Sequence, residues 1–260
     1  MKTLVVSTFN RAGWDLYAHR MESSFRAHWP AEFDLMLFSE DTASGGAIYP
    51  PRMAQKIARF MSRHKDNPAH RGIVPDPING GTRYNFKFDA VKFAHKVFAI
   101  EQAAYCSVVD YDRLIWIDAD VVTLRPVPVD FIDGFMSNGA NLGCLTRTKK
   151  NKSTETGFVI FNICGPVLNL IARMAAIYET DHIFQLAEWH DAFVFDYCRA
   201  QMPGLRVASL SGAYESHGHP FINGPLGQYM DHLKGDARKK AGQSRASDFI
   251  GDAPWHRAAL

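Results

Sequence analysis

With 260 residues, 47% of them hydrophobic and 22% charged, the chain is long enough to bury a substantial core as one large domain or two small ones. A formal net charge of +2 supplies no strong field to hold nucleic acid or an anionic membrane. Cys106, Cys144, Cys164 and Cys198 form no Cys-x-x-Cys pair, which argues against zinc or a disulfide framework and for free thiols in a reducing cytoplasm.

Residues 3–10 predict a first strand ending in Ser7-Thr8-Phe9-Asn10; its apolar run is too short for a signal peptide. An amphipathic helix is expected from Trp14 to His28, stopped by Pro30, and a second strand from Phe33 to Phe38. This β-α-β opening points to an α/β protein with a parallel sheet. Residues 42–82 carry Gly45-Gly46, Pro50-Pro51, Pro68, Pro75, Pro77 and Gly80-Gly81, and read as a lid-like insertion with one helix near Met53–Lys65. Apolar residues at helical spacing predict a long helix over Phe86–Cys106. Leu114-Ile115-Trp116-Ile117 is a buried strand that runs into Asp118-Ala119-Asp120. Further on come a short helix or turn at Val129–Met136, a strand at Leu142–Leu145 and a polar loop at Lys149–Lys152. A strand at Phe158–Ile163, helices at Pro166–Tyr178 and Asp191–Arg199, and a strand at Leu205–Ser209 follow. Asn162, Asn169 and Arg173 interrupt the longest apolar stretch, so no membrane span is expected. From Ser211 the chain is rich in Gly, His and basic residues and either folds over the site or stays mobile.

On a strand, residues i and i+2 share a face. Asp118 and Asp120 then repel each other unless a cation lies between them, and carboxylate oxygens at the carboxyl end of a sheet strand suit Mg²⁺ or Mn²⁺. Relief of that repulsion predicts that Asp120→Ala removes activity at little cost in stability. His232 would complete an N/O ligand set tolerated by Mn²⁺, with His217 and His219 as competitors. Gly235 leaves room for a phosphate beside the backbone, and Arg238, Lys239 and Lys240 can neutralise a diphosphate. Gly157 at a strand entrance lets a ligand approach, with Glu155 and Thr156 placed to bind hydroxyls. Asp191, opening a helix after Trp189-His190, is either a cap or a carboxylate facing a reacting sugar.

Taken together, several features resemble GT-A glycosyltransferases, most of all the glycogenin-like and lipopolysaccharide galactosyltransferase-like retaining enzymes. They are the Thr8-Phe9-Asn10 strand end, a helix carrying Lys96, the strand into Asp118-Ala119-Asp120, Gly157-Phe158-x-x-Phe161-Asn162, Trp189-x-Asp191 and His232-x-x-Gly235. The resemblance implies one GT-A catalytic domain over 1–260, with a Rossmann-like, mixed but mostly parallel sheet flanked by helices. Residues 42–82 would be an insertion, and residues 211–260 a tail closing the site. It implies that Asp118, Asp120 and His232 hold Mn²⁺ (or Mg²⁺) and that Thr8, Phe9 and Asn10 hold base and ribose. Lys96, Asp118, Gly235 and Arg238 would meet the donor, and Asp191 and Glu155 would be the catalytic carboxylates. The family's late Lys-Pro-Trp is absent after Gly235, and its Asp-Gln pair is Asp191-Ala192 here. The implied reaction moves a hexosyl or pentosyl group from a nucleotide sugar, UDP being the usual carrier, to an acceptor hydroxyl, with retention favoured. The acceptor is a glycan, a lipid-linked sugar, a protein side chain or a modified nucleic-acid base; the charge balance disfavours the last. Two other readings stand beside it: a nucleotidyltransferase, whose glycine-rich loop after the first strand is missing here, and a non-catalytic nucleotide-sugar-binding protein.

Overall fold

A computed structural model of the chain describes residues 1–41 and 47–251. The strands among them are β1 (Thr3–Phe9), β2 (Phe33–Ser39), β3 (Arg71–Pro75), β4 (Thr82–Asp89) and β5 (Arg113–Ile117). They continue with β6 (Val121–Thr123), β7 (Leu142–Leu145), β8 (Glu155–Asn162), β9 (Val207–Ser209) and β10 (Met230–His232). Six of the described strands form one sheet in the order β2-β1-β5-β8-β7-β9. β1 runs parallel to β2 and β5, and β7 parallel to β9; β8 is antiparallel to both of its neighbours. This is the mixed, mostly parallel α/β sheet that the opening β-α-β pattern predicts.

Strand alternation divides the core into two layers. Leu4, Val6, Leu114, Trp116, Val159 and Phe161 face one cluster, with Phe60, Phe98 and Tyr178 from the helices Pro51–His64, Ala90–Ser107 and Gly165–Glu179. Val5, Phe9, Ile115, Ile117, Phe158 and Ile160 face the other, with Phe25, Trp29 and Phe221. With both faces covered, the central strands are buried along nearly their whole length. That explains their near-continuous apolar runs.

Several boundaries differ from expectation. The first helical stretch starts at Arg11 and contains a π-helical turn at Trp14–Ala18 before the regular helix His19–His28. The helix expected over Phe86–Cys106 spans Ala90–Ser107, because Asp89 caps it by accepting from the Lys92 amide at 3.0 Å. Phe86 and Phe88 belong to β4, which pairs antiparallel with β3. Within the expected insertion, residues 42–46 lie outside the described residues. The rest is the helix Pro51–His64 and the β3–β4 hairpin, which runs on to Asp89. β8 begins at Glu155, three residues before the expected start. The described part of the tail pairs back onto the body, with β10 antiparallel to β6 and His232 opposite Val121. No helix among the described residues is long and apolar enough to cross a membrane.

Candidate metal and donor site

β5 stops at Ile117, so strand alternation does not set the geometry of the acidic pair. Instead a turn places them: the Val121 amide donates to the Asp118 carbonyl at 3.0 Å. The tail then closes on this turn, with the Leu233 amide donating to the Asp120 carbonyl at 2.9 Å. His232 Nε2 thereby lies 3.1 Å from Asp120 Oδ1 and 3.7 Å from Asp118 Oδ2. One ligand atom from each of the three falls within 4.8 Å of the others. The His232 side chain is 2% exposed, that of Asp120 13% and that of Asp118 29%, so the cluster opens to solvent on the Asp118 side. Gly157 makes the approach possible: a Cβ there would sit 2.5 Å from His232 Cε1. Two hard oxygens and an imidazole form a donor set that fits Mn²⁺ and, less closely, Mg²⁺. On the far side of the ring, Nδ1 is buried and lies 3.9 Å from Glu155 Oε1, beyond hydrogen-bond reach.

Protein cations balance the acidic groups. Lys96 Nζ is 2.9 Å from Asp118 Oδ1 and 2.8 Å from Asp191 Oδ2, and donates to the Thr156 carbonyl at 2.8 Å. The Trp116 indole donates to Asp118 Oδ1 at 2.7 Å, and the Thr156 hydroxyl to Asp191 Oδ2 at 2.6 Å. Burial opposes ionisation of Asp191, but Lys96 and these hydrogen bonds win and hold its carboxyl below the usual range. Lys239 Nζ lies 3.0 Å from Asp120 Oδ2 and 4.4 Å from the centre of the Tyr17 ring. Against burial, His232 and Lys239 keep Asp120 well below an ordinary carboxyl. Tyr17 is held protonated, first by burial and then by Asp120, Glu40 and Asp118.

The other expected site residues are placed as follows. Thr8 is buried, and its hydroxyl donates to the Phe38 carbonyl at 3.2 Å. Phe9 packs against Trp14 with ring centres 5.2 Å apart. Asn10 caps the helical start, its Oδ1 accepting from the Gly13 amide at 2.8 Å. Asp191 opens the helix Asp191–Arg199, yet its carboxylate is spent on Lys96 and Thr156 rather than on a capping bond. Gly235 has φ +83°, and nothing lies within 4 Å of a Cβ built there. Arg238 is not aimed at the acidic pair; it is clamped to Asp248 and the Lys234 carbonyl, and Lys239 makes the reach instead. Glu155 does not face an open reaction centre. It accepts from Arg147 at 2.7 Å and from Lys234, and these cations with His232 overcome burial to hold it well below the usual carboxyl range. His219 stands 5.7 Å from the His232 ring, pushed down to about 3 first by burial and then by that neighbour, and is outside the three-residue cluster. His217 packs on Tyr214.

Tyr17, Trp116 and Arg147 escape sequence reasoning. Trp116 reads as core, and its indole N–H matters only because Asp118 lies two residues on. Tyr17 has a faint signal: it follows Trp14 by one helical turn. Near them, burial and Asp41 push the half-buried Glu40 carboxyl up to about 7. A carboxyl raised in the folded state holds its proton longer there than in the unfolded chain. Stability is therefore lost as pH rises from the unfolded value near 4.5 through about 7. Melting curves should show Glu40→Gln more stable than the parent at pH 8 and equal to it near pH 4.5.

No family model and no curated protein matches the chain. Among solved structures, it is similar to a glycosyltransferase involved in the glycosylation of the major capsid of PBCV-1. The TM-score is 0.53 at 10% identity, covering 93% of this chain and 98% of that one. It also matches the apo structure of WbbM, a bifunctional glycosyltransferase, with TM-score 0.45 and 12% identity over 80% of this chain and 38% of that one. With nearly full mutual coverage, the first match shows that the chain has the GT-A-like α/β fold of a solved glycosyltransferase.

Proposed function

We propose that the chain is a metal-dependent glycosyltransferase that moves a sugar from a nucleotide-diphosphate donor, foremost a UDP-sugar, to an acceptor hydroxyl. One observation carries this reading: Asp118, Asp120 and His232 converge beside the Lys96–Asp191 pair at the end of a central strand. When bound by those three residues, Mn²⁺ would withdraw charge from the departing diphosphate. Around it, the half-buried Trp14 and Tyr17 offer aromatic surface to the nucleoside, while Phe9, fully buried, only backs the Trp14 ring. Lys239, whose side chain is largely but not fully buried, is free to trade Asp120 for a phosphate. Lys96 is locked by three acceptors and holds Asp191 anionic, suited to stabilise positive charge on a reacting sugar.

The electrostatics also bear on stereochemistry. An inverting enzyme needs a carboxylate base whose pKa lies near the working pH. Asp191 and Glu155 are both depressed by cations, so neither is a strong base. This supports retention, with the departing phosphate taking the acceptor's proton. Nucleotidyl transfer is disfavoured because β1 leads straight into a helix capped by Asn10, with no glycine-rich loop to cradle a triphosphate.

A panel of UDP-, GDP- and ADP-sugars with Mn²⁺ tests the reading. At least one should raise the melting temperature and release its nucleoside diphosphate when an acceptor is present, and EDTA should abolish both effects. Stabilisation indifferent to EDTA, or none with any donor, would refute it.

A further inference from the structure

The β3–β4 hairpin carries more exposed aromatic surface than its own packing requires. Ile73 lies opposite Tyr84 in the register, and Phe86 follows two residues on, inside a bulge where residues 85–88 of β4 face the single residue Gly72. Tyr84 is 53% exposed and Phe86 49%. The hairpin is nevertheless firmly built. The Tyr84 hydroxyl donates to Asp89 at 3.0 Å, and the Asp76 carboxylate shapes the tip by accepting from the Ile78 amide at 3.1 Å.

Its root is fixed to the proposed transfer centre. The Trp189 amide donates to the Lys87 carbonyl at 2.6 Å, and Lys87 pairs with Glu188 at 2.5 Å. The Phe86 ring meets the buried His190 ring edge-on at 5.5 Å. The next residue is Asp191, joined through Lys96 to Asp118. The nucleoside end of the site, at Trp14 and Tyr17, belongs to the helical stretch after β1. The exposed aromatics therefore begin where an acceptor must enter.

We infer that the exposed Tyr84 and Phe86 side chains form an acceptor subsite that takes an oligosaccharide, its sugar rings stacking on the two aromatics. The inference rests on the sugar-transfer reading and names the substrate class for that site. Carbohydrate fits better than a protein surface because the two rings stand among polar groups, Asp89 on the Tyr84 hydroxyl and Lys87 with Glu188 beside Phe86. Stacking on such rings suits a ligand with apolar C–H faces and hydroxyl edges. Continuity with His190 and Asp191 brings the end of that ligand to the site of transfer.

An array of defined oligosaccharides probed with the full chain, Mn²⁺ and UDP tests this. The parent should bind a subset of the glycans. Phe86→Ala should weaken that binding at least tenfold and raise KM for the bound glycan more than it lowers kcat. The melting shift produced by UDP and Mn²⁺ should not change. Tyr84→Phe, which keeps the ring, should retain binding. Loss of all glycan binding by the parent, or full binding by Phe86→Ala, overturns the inference. So does sedimentation showing that Phe86→Ala splits a dimer, for the surface would then belong to a second copy. If the parent binds glycans but no nucleotide sugar, the transfer reading falls while the subsite stands.

Discussion

Replacing Asp118 with asparagine should lower sugar transfer by about a thousandfold while leaving the melting temperature nearly unchanged. The rate effect follows from charge. A divalent ion that polarises a departing phosphate supplies several kcal/mol of transition-state stabilisation, and each ~1.4 kcal/mol is a factor of ten. The small stability effect follows from the contacts. An asparagine oxygen can still accept from the Trp116 indole, and Lys96 keeps Asp191 and the Thr156 carbonyl. Asp120 should behave differently. The expectation that its removal costs little assumed unrelieved repulsion within the acidic pair. In the structure, Lys96 and Lys239 already neutralise the two carboxylates, and His232 lies against Asp120. Asp120→Ala should therefore lose both activity and stability. Initial-rate assays and melting curves on the two variants check this. Full Mn²⁺-dependent turnover by Asp118→Asn would remove the metal reading.

Residue chemistry in the sequence is enough to anticipate that an acidic pair after a hydrophobic strand and a late histidine belong together. Both lie in short segments whose neighbours constrain them: Leu114–Ile117 must be central, and β10 must find a partner. The turn at Asp118–Val121 was hidden because the same residues read as a continued strand. The β4 strand was hidden for a related reason. Phe86, Ala90, Phe93 and Ala94 fit a helical period, while Tyr84, Phe86 and Phe88 fit a period of two. Asp89 settles the ambiguity by capping, a signal visible in the sequence but weaker than the apolar pattern. The role of Glu155 was not legible at all. Its partners Arg147, Lys234 and His232 lie 8, 79 and 77 residues away, and only the folded tail brings them together. Arg238 and Lys239 differ by one position on a short helix; which one faces the acidic pair depends on Asp248 capturing the first.

Replacing Lys96 with methionine should be the most destabilising single change in the site. Its ammonium group is buried against Asp118, Asp191 and Thr156, and 5.2 Å from the centre of the Trp116 ring. Burial alone would lower its pKa, yet the two carboxylates raise it, so the charge is firmly held. Methionine fills a similar volume but leaves Asp191, 5% exposed, without its counter-ion. Stranding a buried charge costs about 3–5 kcal/mol. For a chain of this length that lowers the melting temperature by roughly 10 °C, at about 2–4 °C per kcal/mol. The damage should be electrostatic rather than steric, which a second substitution can show. Asp191→Asn in the Lys96→Met background removes the stranded charge, and its amide can still accept from the Thr156 hydroxyl. The double variant should regain more than half of the lost melting temperature while remaining inactive. If it melts as low as Lys96→Met alone, the lysine acts through its aliphatic packing and not as the tie between the metal side of the site and the acceptor side.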